Sequence, residues 1–110
     1  MRTHQEIDER SLALHRLIAD KIVCEPVLFE RPKATLARWR KTVCSGSQPY
    51  LEEWEHLMGL GMDACLAVAV ENSQRATALR QSSPFSGVLT NQERLAFLKR
   101  WKLDHETQGA

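Results

Sequence analysis

The sequence predicts an all-α domain of about five helices packed around one buried central helix, at about residues 62–81. Three observations carry this expectation. Apolar residues recur three and four positions apart in several stretches, the pattern of helices that pack through one face. Strict alternation is absent, and no Asn-Gly or Asp-Gly turn joins two β-branched runs, so no strand is required. Residues 64–70 carry no polar side chain at all, which predicts a helix covered on every side. With 110 residues there is room for a single domain, 1–110, with one core.

Taken in order, Thr3 and Glu6 fit a capping box, in which the threonine oxygen takes an orphan amide and the glutamate reaches back. The helix they open has a stripe of Ile7, Ser11, Leu14, Ile18 and Ile22, widened by Leu17. Cys24 and Glu25 before Pro26 end it, because the residue before proline is pushed out of the helical region. Pro26 suits a new first turn, but Pro32 follows six residues later and would cost about 3 kcal/mol inside a regular helix. A kink, or a short helical turn and then a proper helix over 32–43, is expected. Phe29, Leu36, Trp39 or Arg40, and Val43 would face the core, with Arg31, Arg38 and Lys41 on the opposite, basic stripe.

Residues 45–49 form a linker, and the proline at its end starts a short third helix over 49–58. Tyr50, Trp54, Leu57 and Met58 line one side of it. Glu52, Glu53 and Glu55 stand near its N-terminal end, where the dipole favours negative charge. Gly59, Leu60 and Gly61 are expected to end it tightly, so that the central helix follows at once as a hairpin or a sharply bent pair. Residues 82–89 read as an ordered loop held on the core by Phe85, Val88 and Leu89. Thr90 and Glu93 make a second capping box. The last helix would then pack through Leu95, Leu98 and Trp101, with Phe97, under a basic exterior of Arg94, Lys99, Arg100 and Lys102. The tail, 105–110, has nothing to bury and should fray.

The formal net charge of +1 gives no global reason to expect nucleic acid or membrane. It conceals blocks of opposite sign: Arg31, Lys33, Arg38, Arg40 and Lys41 without an acid, Glu52, Glu53, Glu55, Asp63 and Glu71 without a base, then six bases from Arg75 to Lys102 against Glu93. Such blocks pair between neighbouring helices or form half of an interface. Cys24, Cys44 and Cys65 are odd in number and widely spaced, which argues for small buried thiols in a cytosolic chain rather than a disulfide framework or zinc site. The first ten residues lack the apolar region of a signal peptide, and the apolar run at 64–70 is far short of the roughly 20 residues that cross a bilayer. A cytoplasmic protein with no membrane contact is expected.

No nucleotide-binding glycine loop, H-E-x-x-H or G-x-S-x-G motif is present, and no metal or cofactor is expected. Arg10 and His15 resemble the R-x4-H pattern of HEPN-type helical ribonucleases, where the arginine would steady phosphate charge and the histidine move a proton. That is the alternative catalytic reading, although five residues along a helix more often serve packing and surface. The polar half of the central helix offers Glu71, Asn72, Arg75, Arg80 and Gln81 as the candidate protein-binding set. The competing role for them is to cap the helix and satisfy buried carbonyls. Arg31, Arg38 and Lys41 are the alternative nucleic-acid set. Trp39 and Trp101 interleave with the bases as stacking platforms would, but both fall in or beside apolar stripes, which assigns them to the core.

The segments SLALHRLIADKI and LRQSSPFSGVLTNQERLAFLKRW together resemble small bacterial helical proteins of the kind carried in mobile or toxin-antitoxin-like gene pairs. The resemblance implies a bacterial, partner-binding protein and brings no catalytic residues. A non-enzymatic interaction module is therefore expected, binding another protein or itself, with a HEPN-like ribonuclease or a nucleic-acid-binding regulator as the alternatives.

Overall fold

The computed structural model describes residues 4–42 and 45–109, and those residues form helices and turns without a strand. Six α-helices are present: α1 His4–Cys24, α2 Glu30–Thr42, α3 Gln48–Leu60, α4 Met62–Ala69, α5 Gln74–Arg80 and α6 Asn91–Gly109. Two short 3-10 turns, Pro26–Phe29 and Ser86–Val88, lead into α2 and complete the loop before α6.

The α1 helix buries the C-terminal part of its predicted stripe, with the covered face shifted toward His15 and Ala19. Ile18 and Ile22 are buried and Leu14 packs against the core, but His15 and Ala19 complete the covered face while Ile7 and Leu17 stand in solvent. Thr3 lies outside the described residues. The proline pair resolves as a short turn and then a helix: Pro26 opens the 3-10 turn, and Pro32 falls within the first turn of α2, where its missing N–H leaves no helical bond unmade. Leu36 is buried and Trp39 packs beside it; Val43 lies outside the described residues. The α3 helix is longer than expected, because Gly59 remains helical. Gly61 alone makes the break, at φ 121°, a backbone conformation that a side chain would strain.

The single helix predicted over 62–81 is two helices. The rod stops at Ala69 and restarts at Gln74, because Asn72 and Ser73 supply turn and cap chemistry that outweighs the continuing periodicity. Nor is the first half covered all round: Cys65, Leu66, Val68 and Ala69 are buried, but Ala64 and Ala67 are exposed. Alanine costs little to leave in water, so a run of small apolar residues does not require cover on every side. The α4 helix is one wall of the core.

The centre lies elsewhere. Trp54 of α3 and Phe85 of the loop are both fully buried, meet edge to face with ring centroids 5.3 Å apart, and the indole Nε1 donates to the Leu79 carbonyl at 2.9 Å. Pro84, Val88 and Leu89 are buried with Phe85, so the loop is an integral core segment, as its apolar residues predict. Cys44 lies outside the described residues; of the two described thiols, Cys65 is buried and its pKa is pushed up to about 12 by that burial, but Cys24 is exposed, against expectation. It stands where α1 ends, beyond the last covered turn.

The last helix departs furthest from its sequence reading. The capping box forms as expected, with Thr90 N–H donating to Glu93 at 2.8 Å and Glu93 N–H to the threonine oxygen at 3.0 Å. Its apolar residues, however, do not join the core. Leu95, Leu98 and Leu103 are 65%, 37% and 53% exposed, and neither Phe97 nor Trp101 belongs to the core cluster or packs against it. Arg94, Lys99, Arg100 and Lys102 stand exposed as expected. The helix runs to Gly109, with the His105 ring stacked on Trp101 at 3.8 Å. A radius of gyration of 14.4 Å and a long dimension of 44 Å exceed the about 13 Å radius of a compact chain of this length, as a projecting helix requires.

Candidate functional site

The break between α4 and α5 is built from its own residues. The Ser73 hydroxyl accepts the Ala76 N–H at 3.1 Å, the N-cap bond that starts α5, and donates to the Glu71 carboxylate at 2.5 Å. Glu71 also meets Arg75 at 3.4 Å. Its pKa is lowered, first by the Ser73 hydrogen bond and then by the two nearby arginines, Arg75 and Arg80. One face of the break is left with carbonyls that have lost their helical partners.

Arg80 takes them up. It is 6% exposed, and its guanidinium reaches back to donate from Nη1 to the Ala69 carbonyl at 3.1 Å and the Glu71 carbonyl at 2.8 Å, and from Nη2 to Thr77 Oγ1 at 3.3 Å. Burial pulls its pKa down and Arg16 adds to this, while Asp8 and Glu71 favour the charged form. Its Nε is buried with no hydrogen-bond partner among the described residues. Of the five residues predicted to bind a partner, Arg80 is thus turned inward, and Glu71 and Arg75 pair with each other. Asn72 and Gln81 remain exposed. They line a shallow cleft of about 650 Å³ with Asp8, Ser73, Gln74 and Thr77.

The structure does not bring Arg10 and His15 together. Five residues along a helix are about 140° apart around its axis. His15, 5% exposed, faces the loop: its ring nitrogens lie 2.7 Å from the Ser11 carbonyl and 2.7 Å from Ser83 Oγ. Because a carbonyl only accepts, Nδ1 carries the proton and Nε2 accepts from the serine hydroxyl. The same Ser83 oxygen accepts the Phe85 N–H at 3.2 Å. Burial first, and Arg80 after it, lower the His15 pKa, partly offset by the Ser11 hydrogen bond. The pair is a half-buried serine hydroxyl on a buried, neutral imidazole, and it holds the loop against α1.

Arg10 points instead into a cleft of about 380 Å³ between α1 and α6, whose apolar walls are Ile7 and Leu14 on one side and Phe97 and Leu98 on the other. Arg94 stands at the same cleft and donates to the Ser86 carbonyl at 3.2 Å. Arg10 has no hydrogen bond or ion pair among the described residues. The base of α6 is pinned beside it: Lys21 contacts Glu93 at 2.5 Å and donates to the Val88 carbonyl at 3.0 Å, and together with the Thr90 cap this lowers the Glu93 pKa to about 2.

No family model, curated protein or solved structure matches the chain. Arg31, Arg38 and Lys41 are all exposed on α2, and Arg31 and Arg38, seven residues apart, share one face. Trp39, which would have to stack bases beside them, packs against the core. No group of three or more His, Cys, Asp or Glu placed to hold a metal ion occurs among the described residues, and no helix there is long and apolar enough to cross a membrane.

The α1–α6 cleft was not legible in the sequence. Periodicity marks apolar positions such as Ile7, Leu14, Phe97 and Leu98 but does not say whether this chain or another covers them. Ser83 belongs to the polar stretch that follows the central helix, and nothing local points from it to a histidine 68 residues away.

Proposed function

We propose that the chain is a small, non-enzymatic protein-interaction module whose role is to bind another protein. The observation that carries this reading is α6: a 19-residue helix that leaves Leu95, Leu98 and Leu103 in solvent and keeps Phe97 and Trp101 off the core. Apolar side chains left uncovered on a small domain, with Phe97 and Leu98 lining one cleft, mark a surface that another molecule covers. The burial of His15 and its separation from Arg10 weigh against the ribonuclease alternative. Asn72 and Gln81 offer a second, polar contact area on the other side of α1's N-terminal half.

The finer reading is the antitoxin or accessory half of a bacterial two-gene system, supported by the resemblance of the first and last helical segments to such proteins. Co-expression with the product of the neighbouring gene, followed by size-exclusion chromatography with light scattering, tests it. A stoichiometric complex is expected. Elution of this chain alone, as a monomer, counts against the reading.

A further inference from the structure

The α1–α6 cleft combines two features that rarely serve an empty surface. Its walls are apolar, from Ile7 and Leu14 on α1 and Phe97 and Leu98 on α6, and its polar lining is Ser11 and Ser86 with two arginines, Arg10 and Arg94. Arg94 spends one donor on the Ser86 carbonyl, and Arg10 has none spent among the described residues. A guanidinium offers five donors in a planar fork suited to carboxylates. We propose that this cleft receives one helix of a partner protein, an amphipathic helix that seats aliphatic or aromatic side chains between α1 and α6 and presents Asp or Glu to Arg10 and Arg94. This rests on the reading of the chain as an interaction module and names the partner's chemistry.

Three features of the structure select this occupant. The site is a trough between two helices, the shape that takes the ridge of a third. A second copy docked symmetrically on the same face would oppose arginine to arginine, where like charges repel. A flat anionic membrane would need the apolar residues of α6 on one side, yet Leu103 lies about 160° around the helix from Trp101, and Asp104 interrupts the basic surface.

The test uses the full chain and two labelled synthetic peptides of about 18 residues, each with leucines at helical i, i+3/i+4, i+7 spacing. One carries glutamate and the other lysine at the flanking positions. In anisotropy titrations the glutamate peptide should bind with a Kd on the order of 10–100 µM, and the lysine peptide at least about tenfold more weakly. Arg10→Glu and Arg94→Glu should each weaken the glutamate peptide about tenfold or more, with far-UV circular dichroism and melting temperature confirming that both variants are folded. Phe97→Ala, which leaves both arginines in place, should also weaken it.

Equal binding of the two peptides, no binding of either, or binding indifferent to the arginine variants overturns the proposal. So does self-association that Arg94→Glu abolishes, or co-sedimentation with phosphatidylglycerol vesicles in place of peptide binding. A complex with the neighbouring gene product that survives both arginine variants would leave the module reading standing and remove this cleft from it. Peptide binding as expected without any such complex would leave the cleft and the module reading standing and remove the neighbouring gene product as the partner.

Discussion

His15 and Ser83 are joined by a 2.7 Å hydrogen bond across 68 residues, and it ties the first helix to the loop that carries the core phenylalanine. The bond has a fixed direction, because the Ser11 carbonyl holds the other ring nitrogen as a donor. Ser83→Ala removes the donor and leaves a buried imidazole nitrogen unsatisfied. A loss of about 1–3 kcal/mol in urea denaturation is expected. No loss would mean that the bond contributes nothing to holding the loop.

The same histidine makes stability depend on pH. Its folded pKa lies below the ordinary 6.5, so the unfolded chain takes up a proton first as the pH falls. Stability should be flat above pH 6.5, decline from there by at most about 1.4 kcal/mol per pH unit, and level off once the folded state is protonated too. In His15→Gln this component should vanish from the pH profile of the unfolding free energy. An unchanged slope below pH 6.5 would assign it to other groups.

Arg80 behaves as a brace between α4 and α5. Replacing it by Ala strands the Ala69 and Glu71 carbonyls and should cost about 2–4 kcal/mol, read from chemical denaturation. Binding of a partner by the remaining folded fraction should not change. If binding falls while stability holds, the residue faces the partner after all.

The one-sided burial of α4 separates two neighbouring substitutions. Leu66→Asp puts an unpaired charge in the core and should leave no cooperative unfolding transition at room temperature. Ala67→Asp, one residue on and in solvent, should cost under about 1 kcal/mol, the helix-propensity difference. Comparable damage from both would restore the picture of a helix covered all round.

Glu93 anchors α6 through Lys21 and the Thr90 cap. With its folded pKa lowered to about 2, its contribution is complete above pH 4.5 and is lost as the pH falls from there toward 2. Glu93→Gln at neutral pH should speed amide hydrogen exchange across the first turns of α6 while leaving α3 protected. Equal exchange in both forms would show that the ion pair does not hold the helix.

Much of the architecture is local and could be read from the residues alone. The Thr90–Glu93 capping box and the placing of Pro26 and Pro32 at the start of new turns depend on short-range sterics and capping, and the apolar residues of the loop at 82–89 mark it as packed without naming the Trp54 and His15 it packs on. The same kind of signal, Asn72 and Ser73, marks the break between α4 and α5, but the apolar period running through it concealed it. What the sequence determined is the helical class of the domain, the Thr90–Glu93 cap and most of the helices, the division of 62–81 into α4 and α5 being the exception. Which face each helix buries was decided only by the tertiary structure, because burial depends on a partner surface far away in the chain. Trp54 meets Phe85, His15 turns to Ser83, Arg80 folds back on carbonyls freed by the break, and the apolar residues of α6 find no partner in the core. That last outcome places Arg10 and Arg94 at an open apolar cleft, and no periodicity within one helix could have revealed it.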